Sequence, residues 1–437
     1  MSPADLVSLV VCDLGAIVRG RAVLGSEIEE PLAAGIGWVP ANHALTPLGP
    51  LAERSPFSST GDLRLMPDPR TRTRVGEIPG TSALELILCD IVELDGRPWE
   101  CCPRGFLARV LTDLGERGEA SAQVSFEHEF QLLGEARAEL PFSLAAQRAV
   151  EPFGSELMGA LVEADAEPER FFAEYAGHQF EVPVAPAPAA QAADRAVVVR
   201  EVVREVARRQ GSRASFVPLL DPAEAGNGVH VHLSLHDPRG RPLLHDASRP
   251  GGLSVLGGAF AAGVLAHAPG LSALTAPSAV SPERLRPHRW SAGAVCLGER
   301  NRETLLRIPP LATLDGSSAE TQMRLEYRAA DAAANPYLAL GAILAAGLDG
   351  IASGMPAPAL LDRDPATLSE QDAERFGVGA LPRTLEEALD ALAQDAVLRG
   401  ALGEPLYEAY DALKRAELAL VAELPLEERC RRYAEVY

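Results

Sequence analysis

The chain has 437 residues, which is enough for two domains with a sizeable hydrophobic core. Its 47% hydrophobic and 23% charged residues are ordinary for a globular protein. The net charge of −21 argues against a nucleic-acid partner, because no basic stretch is present to neutralise phosphates.

The N-terminal stretch predicts no secretory signal, because it carries no basic leader and Asp13 interrupts its apolar run. The longest apolar stretch, at 338–348, is too short to span a bilayer, so we expect no membrane partner. The six cysteines lack the spacing of zinc ligands and do not imply a disulfide framework. These features together predict a cytoplasmic protein with reduced thiols.

The first hundred residues have the pattern of a strand-rich unit. β-Like runs at 6–13, 61–67 and 84–94 are separated by loops rich in proline and glycine. The stretch from about 40 to 60 contains four prolines and predicts an irregular loop. A helical pattern follows at 105–118 and ends at a glycine.

This helical pattern marks a change in organisation, and we place a domain boundary just before it. The prediction is an N-terminal domain over 1–103 and a larger domain over 104–437. The segment 182–191 has the composition of a linker, yet we expect a strand leading into a loop, because 192–209 is a well-patterned amphipathic helix.

The C-terminal third predicts several helices. Asn335 and Pro336 are typical of a helix start, with asparagine at the cap and proline in the first turn. Two late helices are predicted at 385–403 and 404–424.

Three strand-like segments carry unusual pairs of acidic and imidazole residues. VSFEHEF contains Glu127 and Glu129, VHVHLSL contains His230 and His232, and MRLEYR contains Glu326. Residues two apart on a strand share one face, so each pair projects into one space. Like charges held together in a buried site need cations to stay ionised. The pattern therefore predicts a divalent-metal site of the kind used in phosphoryl chemistry.

Five motifs occur in a fixed order along the chain. They are ExE at 127–129, E(x6)E at 174–181, GNGxHxHxS at 226–234, NRxxxxR at 301–307, and RxExR at 324–328 followed by NPYLA. This ordered set resembles the glutamine synthetase family. The resemblance implies an α+β protein with an N-terminal β-grasp domain, followed by a larger catalytic α/β domain whose antiparallel strands form a funnel.

The resemblance also implies roles for individual residues. One metal ion would be held by Glu129, Glu174 and Glu181, and another by Glu127, His230 and Glu326. Two or three Mg²⁺ or Mn²⁺ ions are expected per site, with ATP as a substrate. The side chains expected near the nucleotide phosphates are His232, Ser234, Arg302, Arg307 and Arg324.

The acid substrate is expected to contact Arg284, Arg328 and the backbone of Gly226. Arg302, Arg307 and Arg284 are the expected catalytic arginines, because a planar guanidinium matches phosphate and carboxylate oxygens. The implied reaction is ATP-dependent: a carboxylate, with L-glutamate the best candidate, is phosphorylated and the acyl phosphate is attacked by an amine. This is acid–amine ligase chemistry of the class EC 6.3.1.-.

Three departures from the family bear on the substrates. Ammonia-using members carry a glutamate six residues after the substrate-binding arginine, where this chain has Trp290. They also carry an aspartate upstream of the GDLRLMPD-like stretch, whereas 55–61 reads SPFSSTG. Ala225 replaces an asparagine that contacts glutamate. We therefore place the chain nearer the γ-glutamyl-amine and γ-glutamylpolyamine synthetases, with Trp290 lining the amine site. A shifted loop alignment with Trp290 as a packing residue remains open.

Alternative functions remain open at this point. The chain could be an ordinary ammonia-dependent glutamine synthetase, or a catalytically silent relative kept as a structural or regulatory oligomer. A phosphagen-type kinase shares a related core but would lack the β-grasp domain. Membership of the family also implies a homo-oligomer of stacked hexameric rings, a dodecamer.

Overall fold

The computed structural model describes residues 5–76, 82–134, 140–312, 314 and 316–437. The N-terminal region forms a six-stranded sheet. Its strands are β1 (Leu6–Cys12), β2 (Val18–Leu24), β3 (Ile36–Trp38), β4 (Leu63–Pro67), β5 (Thr73–Val75) and β6 (Leu84–Val92). The order is β2-β1-β6-β4-β3, with β5 also paired to β6. β1 and β6 run parallel and the other neighbours antiparallel.

A ten-stranded sheet organises the rest of the chain, in the order β16-β13-β14-β15-β12-β7-β9-β8, with β10 and β11 also paired to β7. Most pairs are antiparallel, while β13 pairs in parallel with β14 and with β16. The strands are β7 (Ser121–Leu133), β8 (Phe172–Ala173), β9 (Gln179–Pro183), β10 (Ala187–Pro188), β11 (Arg213–Ser215), β12 (Val229–His236), β13 (Ala294–Glu299), β14 (Thr304–Ile308), β15 (Leu325–Tyr327) and β16 (Leu360–Leu361).

The described residues also form fifteen α-helices. They are α1 (Glu29–Ala34), α2 (Pro103–Gly118), α3 (Leu144–Ala149), α4 (Phe153–Glu163), α5 (Ala189–Arg209), α6 (Val255–Ala266), α7 (Ala268–Thr275), α8 (Ser281–Arg284), α9 (Ala319–Gln322), α10 (Pro336–Ala352), α11 (Glu370–Phe376), α12 (Leu385–Gln394), α13 (Ala396–Leu402), α14 (Glu404–Val421) and α15 (Leu426–Ala434). Short 3₁₀ helices lie at Gly25–Glu27, Pro40–Ala44, Pro69–Thr71, Pro250–Gly252 and Pro365–Thr367.

The predicted α+β architecture is confirmed, with a strand-rich N-terminal region and a larger sheet-and-helix region. The loop predicted as irregular between 40 and 60 contains one short 3₁₀ helix. The segment 182–191, predicted as a strand leading into a loop, contains the end of β9 at Pro183 and the two-residue strand β10. Helix α5 begins at Ala189, three residues before the start predicted at 192.

Helix α10 lies at the centre of the packing. Asn335 caps it as predicted, accepting hydrogen bonds from the N–H groups of Tyr337 at 2.9 Å and Leu338 at 3.1 Å. Its backbone approaches α6 so closely that a Cβ on Gly350 would lie 2.1 Å from the carbonyl oxygen of Ala259. Almost all of α10 is buried, which explains its uniformly apolar sequence.

The six cysteines are free and buried, as expected for reduced thiols. In the described residues, no single helix has both the length and the apolar character to cross a membrane. The helices α6 and α7 meet those two criteria only as a pair, bent by 75°.

Candidate active site on β7, β12 and β15

Strand register gathers the acidic and imidazole side chains predicted to bind metal. β7 lies between β12 and β9, and β12 lies between β7 and β15. Side chains at directly opposed positions of paired strands share one face of the sheet. The facing pairs are Glu127 with His230, His232 with Glu326, and Glu129 with Glu181.

Glu127 lies between the two histidines. Its Oε2 is 3.3 Å from His230 Nδ1, and its Oε1 is 3.1 Å from His232 Nε2. His230 Nε2 is also 3.7 Å from Glu129 Oε1, and Nδ1 is 3.9 Å from Glu326 Oε1. Within the described chain, His230 Nε2 is buried without a hydrogen-bond partner. A buried imidazole nitrogen left in this state suits a metal ligand.

Two groups of three side chains have ligand atoms within 4.8 Å of one another. Carboxylate oxygens dominate both groups, with one imidazole each, and this donor set fits Mg²⁺ or Mn²⁺. Glu127 belongs to both. The groups are Glu127, His232 and Glu326, and Glu127, Glu181 and His230.

Glu129 and Glu174 lie beside these groups. Glu129 Oε2 accepts hydrogen bonds from Gln179 Nε2 at 3.0 Å and from the N–H of Gly228 at 2.9 Å. Glu174 follows β8, and its carboxyl group is hydrogen-bonded to that of Glu181. Glu129, Glu174 and Glu181 thus interact with one another, although among the described residues they are not one of the groups whose ligand atoms all lie within 4.8 Å, and their role as ligands of one metal ion stays a prediction.

Crowding of the carboxylates raises two of their pKa values. Burial, and then the charges of Glu127 and Glu129, raise the pKa of Glu181 well above its usual value. Burial and then the charge of Glu129 raise the pKa of Glu174 to about 7. Like charges at this spacing favour the protonated form, and a divalent cation would reverse that preference.

Glu326 is held in the opposite state. Burial acts to raise its pKa, but Arg328, the two histidines and Arg307 outweigh burial and bring the pKa to about 2. Arg307 Nη1 donates a hydrogen bond to Oε2 at 2.7 Å, and Arg328 Nη1 donates to Oε1. Arg307, a predicted catalytic arginine, and Arg328, a predicted substrate-binding arginine, thus converge on a carboxylate of the candidate metal site.

Arg284 is deeply buried beside the same cluster. Its Nη2 donates hydrogen bonds to the carbonyl oxygens of Ala329 and Ala330, and Nε lies 4.0 Å from Asp331 Oδ2. Burial lowers the pKa of Arg284. A Cβ placed on Gly228 would lie 3.1 Å from Arg284 Nη1, so this guanidinium lies directly against the GNG turn.

Gly226 is required by close approach of the backbone. A Cβ there would lie 2.0 Å from the carbonyl oxygen of Pro218. The Gly226 carbonyl oxygen accepts a hydrogen bond from Gln179 Nε2 at 3.0 Å. Gln179 therefore holds two parts of the site: the Glu129 carboxylate, and the turn at Gly226 that was expected beside the acid substrate.

Three of the residues expected near the nucleotide, His232, Ser234 and Arg324, lie on or beside β12 beyond His230. Arg324 Nε donates a hydrogen bond to His232 Nδ1 at 3.2 Å. Ser234 Oγ is 3.0 Å from His236 Nε2. Arg302 is exposed, and its charge acts to lower the pKa of the Glu174 carboxyl.

Trp290 lies in the loop after α8. Its backbone carbonyl oxygen is 3.5 Å from Arg328 Nη2 and accepts a hydrogen bond from it. Its indole is half exposed and stacks on Tyr175, the residue after Glu174. The loop therefore connects directly to both the acid-binding and the metal-binding candidates.

Sequence reasoning missed Gln179 and Asn227. Gln179 Nε2 donates to Glu129, to the Gly226 carbonyl and to Asn227 Oδ1 at 3.1 Å. A usable signal was present, because Gln179 lies two residues before Glu181 on one strand and must share its face. Asn227 occupies the middle of the GNG motif and donates to the Val217 carbonyl at 2.8 Å.

Comparison with known proteins agrees with this geometry. A family model described as the glutamine synthetase N-terminal domain matches residues 1–99, and one described as the glutamine synthetase catalytic domain matches residues 100–433. Gamma-glutamylpolyamine synthetase GlnA3 of Streptomyces coelicolor is 34% identical over 425 residues, covering 95% of this chain and 90% of that protein.

Two further relatives extend the comparison. The glutamine synthetase of Methanocaldococcus jannaschii is 31% identical, covering 82% of this chain and 79% of that protein. A solved structure described as a novel glutamine synthase homolog has a TM-score of 0.93 and 47% sequence identity, covering 100% of this chain and 99% of that one.

The carboxylates and imidazoles gathered beside Arg307 and Arg328 are of the kind that hold a divalent metal ion in enzymes for phosphoryl transfer. The chain belongs to the glutamine synthetase family. It is an ATP-dependent ligase of the class that joins an acid to a nitrogen nucleophile, EC 6.3.1.-, in a family that depends on ATP and a divalent metal.

Proposed function

We propose that this chain phosphorylates the γ-carboxylate of L-glutamate and condenses the product with an organic amine. In the first step a carboxylate oxygen attacks the γ-phosphorus of ATP, and ADP leaves. In the second step the amine nitrogen attacks the acyl carbon, inorganic phosphate leaves, and the nitrogen loses one proton. The products are a γ-glutamyl amide, ADP and phosphate.

The main obstacle to the first step is repulsion between two anions. Arg302 and Arg307 would face the transferred phosphoryl group, and their rigid guanidinium forks match its oxygens. Arg324 with His232 and Ser234 would contact the remaining phosphates. The ion pair between Arg307 and Glu326 at 2.7 Å supports this role, because it keeps the guanidinium at the metal-binding face of the sheet.

The carboxylate cluster would hold two or three Mg²⁺ or Mn²⁺ ions. Bound ions would supply charge neutralisation to the phosphate oxygens. The chain's own contribution is to hold the ligands ready: Arg328 and Arg307 keep Glu326 ionised, and Gln179 orients Glu129. The proposed ligands are Glu127, Glu129, Glu174, Glu181, His230 and Glu326.

Arg284 and Arg328 would bind the carboxylate of the acid, with the Gly226 backbone beside it. Both guanidinium groups are buried, so their charge is weakly screened and favours an anionic ligand. Ala225 removes one contact that the family offers to glutamate, and L-glutamate is proposed because the two arginines are retained.

One observation carries the choice of an organic amine over ammonia: the exposed indole of Trp290. The resemblance places a glutamate at this position in ammonia-using members, whereas an indole cannot accept a proton from ammonium. The segment 55–61 offers no carboxylate either. Similarity to a gamma-glutamylpolyamine synthetase supports the same direction.

Family membership also supports a wider proposal for the assembly. We expect a homo-oligomer of stacked hexameric rings in the cytoplasm, with small-molecule substrates and neither nucleic acid nor membrane as partner. Analytical ultracentrifugation of the purified protein would test this proposal, and a monomer would contradict it.

The reaction is tested with purified protein, ATP, Mg²⁺ and L-glutamate, supplied with ammonia or a panel of amines. Phosphate release and product mass are measured. We expect a γ-glutamyl amide, and a kcat/KM for the best amine at least about tenfold above that for ammonia. A preference for ammonia would show an ordinary glutamine synthetase. Absence of phosphate release with every nucleophile would show a catalytically silent relative.

A further inference from the structure

A cavity of about 400 Å³ lies between the N-terminal sheet and helix α5. One wall is formed by residues 68–73, between β4 and β5, and another by the first two turns of α5. Among the described residues, none that lines this cavity is a proposed ligand of the metal, the nucleotide or the substrates. The proposed reaction therefore gives this cavity no role.

Arg195 lines the cavity with incomplete hydrogen bonding. The residue is only 7% exposed, and its Nη2 donates to Glu167 Oε1 at 2.6 Å. Within the described chain, its Nε and Nη1 are buried and have no hydrogen-bond partner. Buried donors of a charged group are rarely left unpaired in folded proteins, because an unmade bond leaves the desolvation cost uncompensated. A bound anion would supply the acceptor that these two nitrogen atoms lack.

The first turn of α5 supplies further donors at the same place. The helix has 21 residues, no side chain caps its start at Pro188, and its first turn contains no acidic residue. The first backbone N–H groups of a helix have no intrahelical acceptor, and the helix dipole places partial positive charge there. Ala190 and Gln191 of this turn line the cavity. An uncapped helix start of this kind favours an anion.

The aspartates of the cavity are mostly engaged with arginine. Four arginines and three aspartates line it. Asp68 and Asp194 accept hydrogen bonds from Arg104 at 2.8 Å and 3.0 Å. The third aspartate, Asp165, is exposed to solvent, so its repulsion of an anion is screened. The unpaired donors of Arg195 are therefore not opposed by a buried free carboxylate among the described lining residues.

The wall opposite α5 adds two arginines that can turn toward a ligand. Arg70 donates to Asp68 through Nε and Nη2 at 2.9 Å and 2.8 Å. Arg72 pairs with Glu85 through Nε at 2.7 Å and Nη2 at 2.6 Å. Their side chains are 87% and 46% exposed, so they retain freedom to move. Each guanidinium keeps a further N–H edge beyond its ion pair.

We propose that this cavity, here called the α5 phosphate site (Arg70, Arg72, Gln191 and Arg195), binds a phosphate group. Its donors come from two facing walls, and a tetrahedral phosphate presents oxygens in several directions, whereas a carboxylate presents only two in one plane. The cavity volume is that of a small-ligand site. The ligand is inorganic phosphate or the phosphate group of a small monoester, and this inference does not depend on the proposed ligase function.

Isothermal titration calorimetry with inorganic phosphate tests the site on the whole chain. EDTA is present, so that binding through divalent metal at the candidate active site is excluded. For the wild-type protein we expect one phosphate per chain with a Kd of about 1 mM or below, and malonate at least about tenfold weaker. Binding of malonate as tight as that of phosphate, or no binding of phosphate, would overturn the proposal.

A second titration with glycerol 3-phosphate distinguishes the two sources of the phosphate group. A lower Kd than that of inorganic phosphate identifies a monoester as the ligand, because the rest of the cavity then contributes contacts. A higher Kd identifies inorganic phosphate. Both results support a phosphate site, and the variants below decide whether the binding occurs at α5.

Two substitutions locate the binding. Arg195→Gln removes the unpaired guanidinium donors and should raise the Kd for phosphate at least about tenfold. Gln191→Glu adds a carboxylate to the first turn of α5, which repels phosphate and favours the helix, so we expect equally weak binding with an undiminished Tm. Arg170→Gln, at an exposed arginine outside the cavity, is the matched control and should bind as the wild type does. Undiminished binding in Gln191→Glu would overturn the proposal.

A variant of the candidate active site separates this inference from the proposed function. Glu127→Gln lies in the carboxylate cluster and should bind phosphate in EDTA with the wild-type Kd. Loss of phosphate binding in Glu127→Gln would place the anion at that cluster and refute the α5 phosphate site. A wild-type protein that binds phosphate at α5 and forms no amide would refute the ligase function and leave this site standing.

Discussion

Glu127 is the residue on which the candidate metal site depends most. It is the member shared by both groups of ligand atoms, and it lies within 3.3 Å of both His230 and His232. Burial opposes its negative charge, but His232 and then His230 lower its pKa well below the usual value. The Glu127 side chain is therefore a carboxylate anion in the folded protein.

Replacing this anion should abolish metal binding with little change in shape. We expect Glu127→Gln to reduce glutamate-dependent phosphate release by at least about a hundredfold, because the amide keeps the size and loses the charge. Glu116→Gln, at an exposed position in α2, is the matched control and should retain full activity. Activity within tenfold of the wild type in Glu127→Gln would contradict the proposed role.

Gly228 offers a second test at the residue scale. A Cβ there would lie 3.1 Å from both Arg284 Nη1 and His230 Nε2, so Gly228→Ala should displace these two side chains. We expect the KM for glutamate to rise by about tenfold or more in steady-state assays. Gly115→Ala in α2 meets nothing within 4 Å and should instead add about 0.5–1 kcal/mol of stability. An unaltered KM in Gly228→Ala would be inconsistent with the described packing.

The sequence could predict most metal-binding candidates but not their partners. Alternation along β7 and β12 fixes which side chains share a face, and that part is a property of any strand. The bond from Gln179 to Glu129 joins residues 50 positions apart, and its existence depends on how β7 and β9 are paired. A local sequence pattern does not encode how β7 and β9 are aligned with each other.

At the scale of elements, helix existence was predictable and helix ends were less so. The predicted helix over 385–403 is divided into α12 and α13, because Asp395 caps the second helix by accepting from the N–H groups of Val397 and Leu398. Similarly, 404–424 ends at Val421, after which α15 begins at Leu426. Capping aspartates are hard to distinguish from ordinary helical surface in an acidic chain.

His267, between α6 and α7, makes pH-dependent contacts with α10 and with the start of α13. It lies between Asp395 at 2.7 Å and Asp349 at 3.2 Å, and the bond to Asp395 raises its pKa above 6.5. A raised folded-state pKa stabilises the protein fully below about pH 6.5, and this stabilisation is lost as the pH rises through the folded-state value.

We therefore expect His267→Gln to lower the free energy of unfolding more at about pH 5.5 than at about pH 9, measured by urea denaturation. Asp349→Asn should reduce the same pH dependence, because it removes one of the two anions that stabilise the charged ring. A cost of His267→Gln that stays constant or grows with pH would show that the ring is not cationic in the folded protein.

A fully buried ion pair within α14 is linked to α15 by a hydrogen bond. Lys414, the chain's only lysine, donates to Glu417 at 2.8 Å, and the hydroxyl of Tyr433 donates to the other oxygen of Glu417 at 2.7 Å. Lys414→Met should cost about 3–5 kcal/mol, because it leaves a buried carboxylate without its cation.

The double variant Lys414→Met with Glu417→Gln provides the control for this effect. It removes both charges, and we expect it to recover more than half of the lost stability in thermal or urea unfolding. If the double variant were as unstable as Lys414→Met alone, the loss would come from packing and not from an uncompensated charge.

At the scale of the whole molecule, the two regions share one continuous core. Asn335 Nδ2 donates to the carbonyl oxygens of Cys12 and Asp13, and Arg104 in α2 forms ion pairs with Asp68, which follows β4, and with Asp194 in α5. The boundary between 103 and 104 stays a prediction. It coincides with the start of α2 at Pro103, a helix whose buried face packs against α10.

Fold class followed from the sequence because strand and helix patterns are local and the ordered motifs are specific to one family. The arrangement of the exposed aromatic residues could not be predicted, because Phe142, Tyr175 and Trp290 lie in three separate loops. Loop side chains meet through the tertiary fold, and neither periodicity nor turn chemistry encodes such a meeting.

The most direct measurement for the whole account is the number of Mn²⁺ ions bound per chain, counted by electron paramagnetic resonance with an ATP analogue present. We predict two to three tightly bound ions for the wild-type protein, and the loss of at least one in His230→Ala, since imidazole is a preferred ligand of such metals. Wild-type protein that binds no Mn²⁺, or His230→Ala with an undiminished count, would contradict the assignment of this strand face as the metal site.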